Sequence, residues 1–414
     1  MSHISSDTAF LAYKKQCSTM AFPSQFAHYA KARGAAYYWE PGKFFVVTSA
    51  TLAREVLSSA NYSADRGAFF ISRMPEMDLS LIGDFFSIVK KMMVMSDDEA
   101  HIKRRRLAHC GFEEHILERF TQTVEQTVKT LVGQVKQTLQ QAPGFEFVHS
   151  LSKQLPSTVL ADFFSIPEAD REHFFESANC MTGFFGGASS YQNEDGIRVN
   201  RAARALKEYF ENLIHERRGG NGTDYVSILL RAQAASGLSD EELIAQLIMM
   251  LVAGQVTTTD QINNIMYLLA ANPEIAMELK QDREKLGNAL EEFKRFDPAV
   301  TFIFRVARTD CELGGLHLKP GDVIFIANHC VSRDLPAETL PDTIQIARRT
   351  PHMAYGHGAH HCLGAKLGRL EIRLLFAEIL RELPLLRLDP AKPAVRDHYS
   401  LSFSGFSHLS LLAG

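Results

Sequence analysis

The chain has 414 residues, 46% of them hydrophobic and 22% charged, with a formal net charge of −4. That balance describes a globular protein with ample core material, and the mild negative charge argues against nucleic acid as its main partner. The length suits two or three domains or one large one. No internal repeat, low-complexity tract or long Gly/Pro/Ser linker divides the sequence, so residues 1–414 read as one domain.

The chain opens on Met-Ser-His-Ile-Ser-Ser-Asp, which is polar and lacks a charged-then-apolar secretion pattern. From Tyr37 to Ser49 the sequence is β-branched and aromatic, with Pro41-Gly42 as a hairpin turn. Residues 68–93 are rich in Phe, Met and Gly and read as less regular. Helical periodicity then predicts His101–Phe112, Glu114–Gln140, Arg198–Arg217, Asp240–Ala271, Glu274–Gln281, Glu284–Phe296 and Ala365–Glu382. Short strands are expected at Ile303–Arg308, Val323–Ala327 and Leu401–Leu412. The fold class is therefore mainly α with small β-sheets. The helix at 240–271 is apolar on every face through its middle, which places it at the centre of a large protein. Its longest apolar run, Leu243 to Gly254, is interrupted by Gln246 and falls short of the roughly 18 residues that suggest a membrane span. Cys17, Cys110, Cys180, Cys311, Cys330 and Cys362 show no pairing pattern and read as reduced thiols of a cytoplasmic protein.

The most informative stretch is Tyr355-Gly356-His357-Gly358-Ala359-His360-His361-Cys362-Leu363-Gly364. Its glycines permit tight turns, and a helix starts directly after it. A helix N-terminus favours negative charge and lowers a thiol pKa, so Cys362 is placed to act as a thiolate. A single thiolate on such a loop is a good soft ligand for haem iron. The neighbouring His357, His360 and His361 also suggest zinc, but no second Cys/His pair with finger-like spacing appears.

Two further motifs precede this loop. The long helix carries Ala253-Gly254-Gln255-Val256-Thr257-Thr258. A mid-helix glycine costs about 1 kcal/mol relative to alanine. Something must therefore come close to that face or distort it, and Thr257 and Thr258 can bond back to carbonyls and open a local bulge. Farther on, Glu292 and Arg295 lie three apart on one helix and can pair.

In this order, the threonine helix, Glu-x-x-Arg and the cysteine loop resemble the cytochrome P450 family, in the form of a soluble bacterial haem-thiolate monooxygenase. The resemblance covers essentially the whole chain. It implies haem b as cofactor, with Cys362 as axial ligand of the iron. His101, Arg105, Arg305 and His360 match partners of the haem carboxylates, and Ala253, Tyr355 and Gly364 match positions against the cofactor. Glu292 and Arg295 match a buried structural pair closed by a later arginine, either Arg348 or Arg349. Gly254, Thr257 and Thr258 match the oxygen-activating segment.

The chain departs from the family pattern at two places. Tyr355 replaces the usual Phe, and Val256 stands where the family usually carries an acid that helps deliver protons. Relay through water, Thr257 and Gln255, relay through the substrate, and non-standard chemistry driven by peroxide, linked to nitric oxide or without oxygenation all stay open. Family topology places Phe69, Phe70, Phe184, Phe185, Met249, Met250, Val256, Val300, Phe302, Ile303, Phe403 and Phe406 around an apolar or aromatic substrate. Many soluble bacterial members of the family act in secondary metabolism, which the resemblance implies as the setting here, with a carrier-protein-bound substrate as one option. Electrons are expected from NAD(P)H through an external ferredoxin or flavodoxin. Lys103, Arg104, Arg106, Lys366 and Arg369 would form the basic docking surface.

Overall fold

The computed structural model describes residues 22–185, 192–397 and 402–414. Cys17 and Leu401 lie outside the described residues, as does the side chain of Phe185. The fold is mostly helical with small sheets, and the backbone falls into two compact units that alternate along the sequence. The first comprises Met1–Tyr62, Glu125–Leu155 and Thr257–Gly414, and the second Ser63–Val124 and Pro156–Val256.

The first unit holds most of the β structure. Its largest sheet has five strands in the order Ala36–Trp39, Phe44–Val47, Val323–Ala327, Phe302–Ala307, Tyr62–Ser63. The first two form the expected hairpin, in register Tyr37↔Val46, around a 3-10 turn at Glu40–Gly42. Lys43 closes that turn with a left-handed φ of 52°. Phe44–Val47 then pairs in parallel with Val323–Ala327, which pairs antiparallel with Phe302–Ala307. The β-branched and aromatic residues pack face to face. Phe44 stacks on Phe325 with centroids 3.7 Å apart, and Phe304 meets Phe325 edge-on at 4.4 Å. Val47, Ile324, Ile326, Leu313 and Met353 complete a buried cluster. Where one strand was expected over Leu401–Leu412, two occur, Phe406–His408 and Ser410–Ala413.

The second unit is helical. Helices Glu168–Phe185, Asn193–Arg217 and Tyr225–Ser236 surround an aromatic core in which Phe163 stacks on Tyr225 at 4.5 Å. The Tyr225 hydroxyl donates to the Ala108 carbonyl at 3.1 Å, so the buried phenol keeps a partner. Residues 68–93 are more ordered than the sequence suggests, with short helices at Gly67–Ser72 and Gly83–Val89.

The helix Asp240–Ala271 keeps its expected bounds, and its 32 residues span about 48 Å at roughly 1.5 Å each. By length and composition it could cross a membrane, but 67% of its apolar window is buried inside the protein. Gln246, which interrupts the apolar run, is fully buried and fully used. Its amide donates to the Lys91 and Glu242 carbonyls and accepts from the Met93 N–H, each at 2.8 Å.

Candidate active site

Helix Ala365–Glu382 starts at the N-cap Gly364, two residues after Cys362. Upstream, Gly356 and Gly358 take φ of +72° and +69°, a region that suits glycine and strains other residues. These turns fold the loop back so that the Cys362 N–H donates to the Tyr355 carbonyl at 2.9 Å, and Cys362 is exposed. Ile303 approaches the same loop. Its Cδ1 lies 3.7 Å from where a Cβ on Gly356 would stand. A Cβ on Gly368 would stand 3.9 Å from Tyr355 Oη and 4.0 Å from Thr258 Oγ1. The cysteine helix thus brings its glycine against the second half of the long helix.

Along that helix, burial breaks at one place. Leu243–Val252 are nearly all buried and Thr259–Ala270 entirely so, whereas Ala253 is exposed and Gly254, Val256, Thr257 and Thr258 are half-exposed. The expected local opening of the backbone does not occur, because α-helix continues unbroken through 253–258. The glycine instead admits a neighbour. A Cβ on Gly254 would meet the Leu160 methyls at 3.2 and 3.3 Å. Gln255 is buried, and its amide donates to Ser157 Oγ at 3.0 Å.

Glu292 and Arg295 form no surface pair. Both side chains are 1% exposed. Arg295 Nε and Nη2 donate to the two Glu292 oxygens at 2.7 and 3.0 Å, a bidentate fork. Arg348, not Arg349, is the third member. Its Nε reaches Glu292 Oε1 at 3.1 Å, whereas Arg349 is exposed. The Gln345 N–H adds a fourth donor at 2.9 Å, and Arg295 Nη1 donates to the carbonyls of Ser332 and Pro341. Such a buried pair stands because both carboxylate oxygens and all three guanidinium nitrogens have partners. It ties the helix Leu286–Phe296 to residues 332–348, which lead into the cysteine loop.

Sequence reasoning passed over the acid next to it. Glu291 takes hydrogen bonds from Lys294, His352 and Arg369. Burial raises its carboxyl pKa, but these donors outweigh burial and hold it well below the usual carboxylate range. Tyr355 keeps its proton, because burial pushes the phenol above its ordinary range. The Glu291 cluster becomes visible only when residues 61 and 78 positions apart meet.

The remaining expected residues divide between the units. In the first, Arg305 is buried and His360 half-exposed. In the second, His101 is buried and Arg105 half-exposed on helix Asp98–His109. Of the residues expected around substrate, Phe69, Val256, Val300, Ile303 and Phe403 are half-exposed, while Phe70, Phe184, Met249 and Met250 are buried. Val300 and Phe403 are bridged as a β-pair. Phe302 and Phe406 are taken up by core packing. Phe302 meets Phe26 edge-on at 5.8 Å, and Phe406 stacks on Tyr267 at 4.6 Å under the Arg396 guanidinium. The basic surface is thinner than expected. Arg104 turns to Glu242 at 2.9 Å, Arg369 to Glu291, and the exposed Lys103 pairs with Glu99 at 2.8 Å, leaving Arg106 and Lys366 exposed. Among the described residues no cluster of three or more His, Cys, Asp or Glu is placed to hold a metal ion.

Comparison with known proteins places the chain in a family. The Cytochrome P450 family model matches residues 9–402. The biotin biosynthesis cytochrome P450 of Bacillus subtilis (strain 168) is 29% identical over 313 residues, covering 74% of this chain and 76% of its own. Mycinamicin IV hydroxylase/epoxidase of Micromonospora griseorubida is 31% identical over 314 residues, covering 75% and 76%. Among solved structures, P450BioI in complex with hexadec-9Z-enoic acid ligated acyl carrier protein superposes with a TM-score of 0.85 at 25% identity, covering 95% of this chain and 99% of its own. The chain belongs to the cytochrome P450 family and is an oxidoreductase of the monooxygenase class.

That family implies a haem-thiolate centre, and the residues present fit one. The loop presents an exposed cysteine sulfur directly before a helix N-terminus, a donor suited to iron. The interior helix is accessible over the few residues where the family places the oxygen-activating segment.

Proposed function

We propose that this enzyme binds haem b through Cys362 and inserts one oxygen atom of O2 into an apolar or aromatic organic substrate, by hydroxylation or epoxidation, in secondary metabolism. The build of the cysteine loop carries the reading: an exposed Cys362 whose N–H is fixed to Tyr355 O, on glycines with positive φ, ahead of a helix N-terminus. When bound, the haem supplies the activation of dioxygen. The protein's part is to hold and to exclude. Arg305 and His360, with His101 and Arg105, provide cations for the haem carboxylates, and Ala253, Tyr355 and Gly364 bound the cofactor. Val256 carries no proton; the Gln255 Nε2 donates to Ser157 Oγ, while its buried Oε1 has no hydrogen-bond partner among the described residues. Proton delivery then rests on water with the Thr257 and Thr258 hydroxyls and Gln255, or on a polar group of the substrate. We take residues 1–414 to act as one domain, in the cytoplasm, with electrons from NAD(P)H through a ferredoxin or flavodoxin that meets Lys103, Arg106 and Lys366.

The likeness to a protein solved with an acyl carrier protein supports a carrier-bound acyl substrate. The test is an optical titration of the purified holoenzyme. Its ferrous–carbon-monoxide spectrum reports thiolate ligation, and Cys362→Ser must abolish that signature. A low-spin to high-spin shift with a carrier-bound acyl chain, at concentrations where the free acid gives none, supports this substrate class. A shift with compact aromatics alone refutes it. Val256 favours a second reading, chemistry that bypasses proton delivery. Peroxide-driven turnover that outpaces the reductase-driven reaction would select it.

A further inference from the structure

Glu291 gathers residues from both sides of the cysteine loop. Its Oε1 accepts from Lys294 Nζ at 2.6 Å, and its Oε2 from His352 Nε2 at 3.1 Å and Arg369 Nη2 at 2.9 Å. Arg369 Nε lies 3.2 Å from both oxygens. The Ala354 N–H donates to His352 Nδ1 at 3.2 Å, so the ring hydrogen sits on Nε2 and is given to Glu291. His352 precedes Cys362, and Arg369 follows it on the next helix, so one carboxylate pins the loop at both ends.

The same cluster grips Tyr355. The Arg369 guanidinium lies 4.3 Å from the Tyr355 ring centroid and Lys294 Nζ 5.8 Å from it, both within cation–π range. The Tyr355 carbonyl in turn receives the Cys362 N–H. Lys294 is 1% exposed, and burial lowers its pKa while Glu291 opposes that effect. Without the carboxylate this cation would stand uncompensated.

We propose that Glu291 is a positioning residue for the iron-ligating thiolate. By holding His352 and Arg369 it fixes the Tyr355 carbonyl that orients Cys362, and it keeps two cations beside the loop. The inference rests on the haem-thiolate reading above.

The experiment compares holoenzymes of wild type, Glu291→Gln, Glu291→Asp and Arg369→Lys, with Leu229→Ala as a core truncation in the helix Tyr225–Ser236 of the second unit. The readouts are the ferric/ferrous reduction potential and the rate at which the thiolate-type ferrous–carbon-monoxide band decays in mild denaturant. Glu291→Gln is expected to take up haem but to lose that band about tenfold faster, the scale of a lost charge-assisted hydrogen bond. Its potential should shift as well. Glu291→Asp should recover part of the change, and Arg369→Lys, which loses the fork and the planar stacking, should fall between. Decay and potential at wild-type values in Glu291→Gln would overturn the proposal, as would equal acceleration by Leu229→Ala. If Glu291→Gln fails to fold, Arg369→Lys decides on the same readouts. A wild type without the thiolate band would sink the haem-thiolate reading itself, and this inference with it.

Discussion

Glu371 lies on the helix that follows the cysteine loop and is 4% exposed. Its Oε2 has no hydrogen-bond partner among the described residues. Burial alone pushes its carboxyl from an ordinary 4.5 up to about 8. The folded chain therefore holds this proton where the unfolded chain has released it. Because the folded pKa is the higher one, stability falls as pH rises from 4.5 to about 8 and then levels. At about 1.4 kcal/mol per tenfold, the full span is about 5 kcal/mol, of which about 2.5 kcal/mol lies between about pH 6 and pH 8.5. Glu371→Gln keeps the shape and removes the titration. Denaturant unfolding of holoenzyme at both pH values should show the wild type losing about 2.5 kcal/mol more than the variant over that interval. Comparing the two proteins cancels every other titrating group. Parallel losses in both would refute a neutral, buried Glu371.

Glu292→Gln removes the charge that Arg295 and Arg348 both meet, leaving two arginines around a neutral amide. The loss should be about 3–5 kcal/mol and should appear as protein that fails to retain haem through purification. Gly358→Ala should also loosen the cysteine loop, because its φ is +69° and the added Cβ would run into the Leu57 carbonyl oxygen. The left-handed backbone alone costs about 1–2 kcal/mol, measurable as a lower haem-retention midpoint in denaturant, whereas a rise would contradict the steric argument. Val256→Asp restores an acid at a half-exposed helix position. If proton delivery limits turnover, the product formed per electron consumed should rise, up to the roughly 100-fold scale of an added general acid. An unchanged or lower yield means that the missing acid is not limiting.

Much of this architecture could be read from local signals. The helices Asp240–Ala271 and Ala365–Glu382 and the strand Val323–Ala327 appear with their expected bounds. Their patterns are long or strongly apolar, and their ends are punctuated. The helices Gln154–Phe164, Glu168–Phe185 and Tyr225–Ser236 were not foreseen, although the last carried its own markers. Asp224 caps it by accepting from the Ser227 N–H, and Gly237 ends it with φ of 69°. In Gln154–Phe164, Pro156 reads as a breaker but falls in the first turn, where a missing N–H is harmless. The cysteine loop and the Glu-x-x-Arg pair were legible because each is a short local pattern. The choice of Arg348, the inward turn of Arg104 and the Glu291 cluster were not, because each depends on where distant segments meet.

The accessible stretch within the long helix separates two kinds of evolutionary freedom. Leu251, Val252 and Thr259 are bound to the interior, and truncating a large buried side chain such as Leu251 costs about 2–5 kcal/mol. At Ala253, Val256 and Thr257 the side chains are less buried and lie where the proposed cofactor and substrate would sit, so a change of residue type there acts on the site rather than on the packed core. The fold can therefore stay fixed while these few positions vary. A valine where the family places an acid is then a change the scaffold tolerates easily.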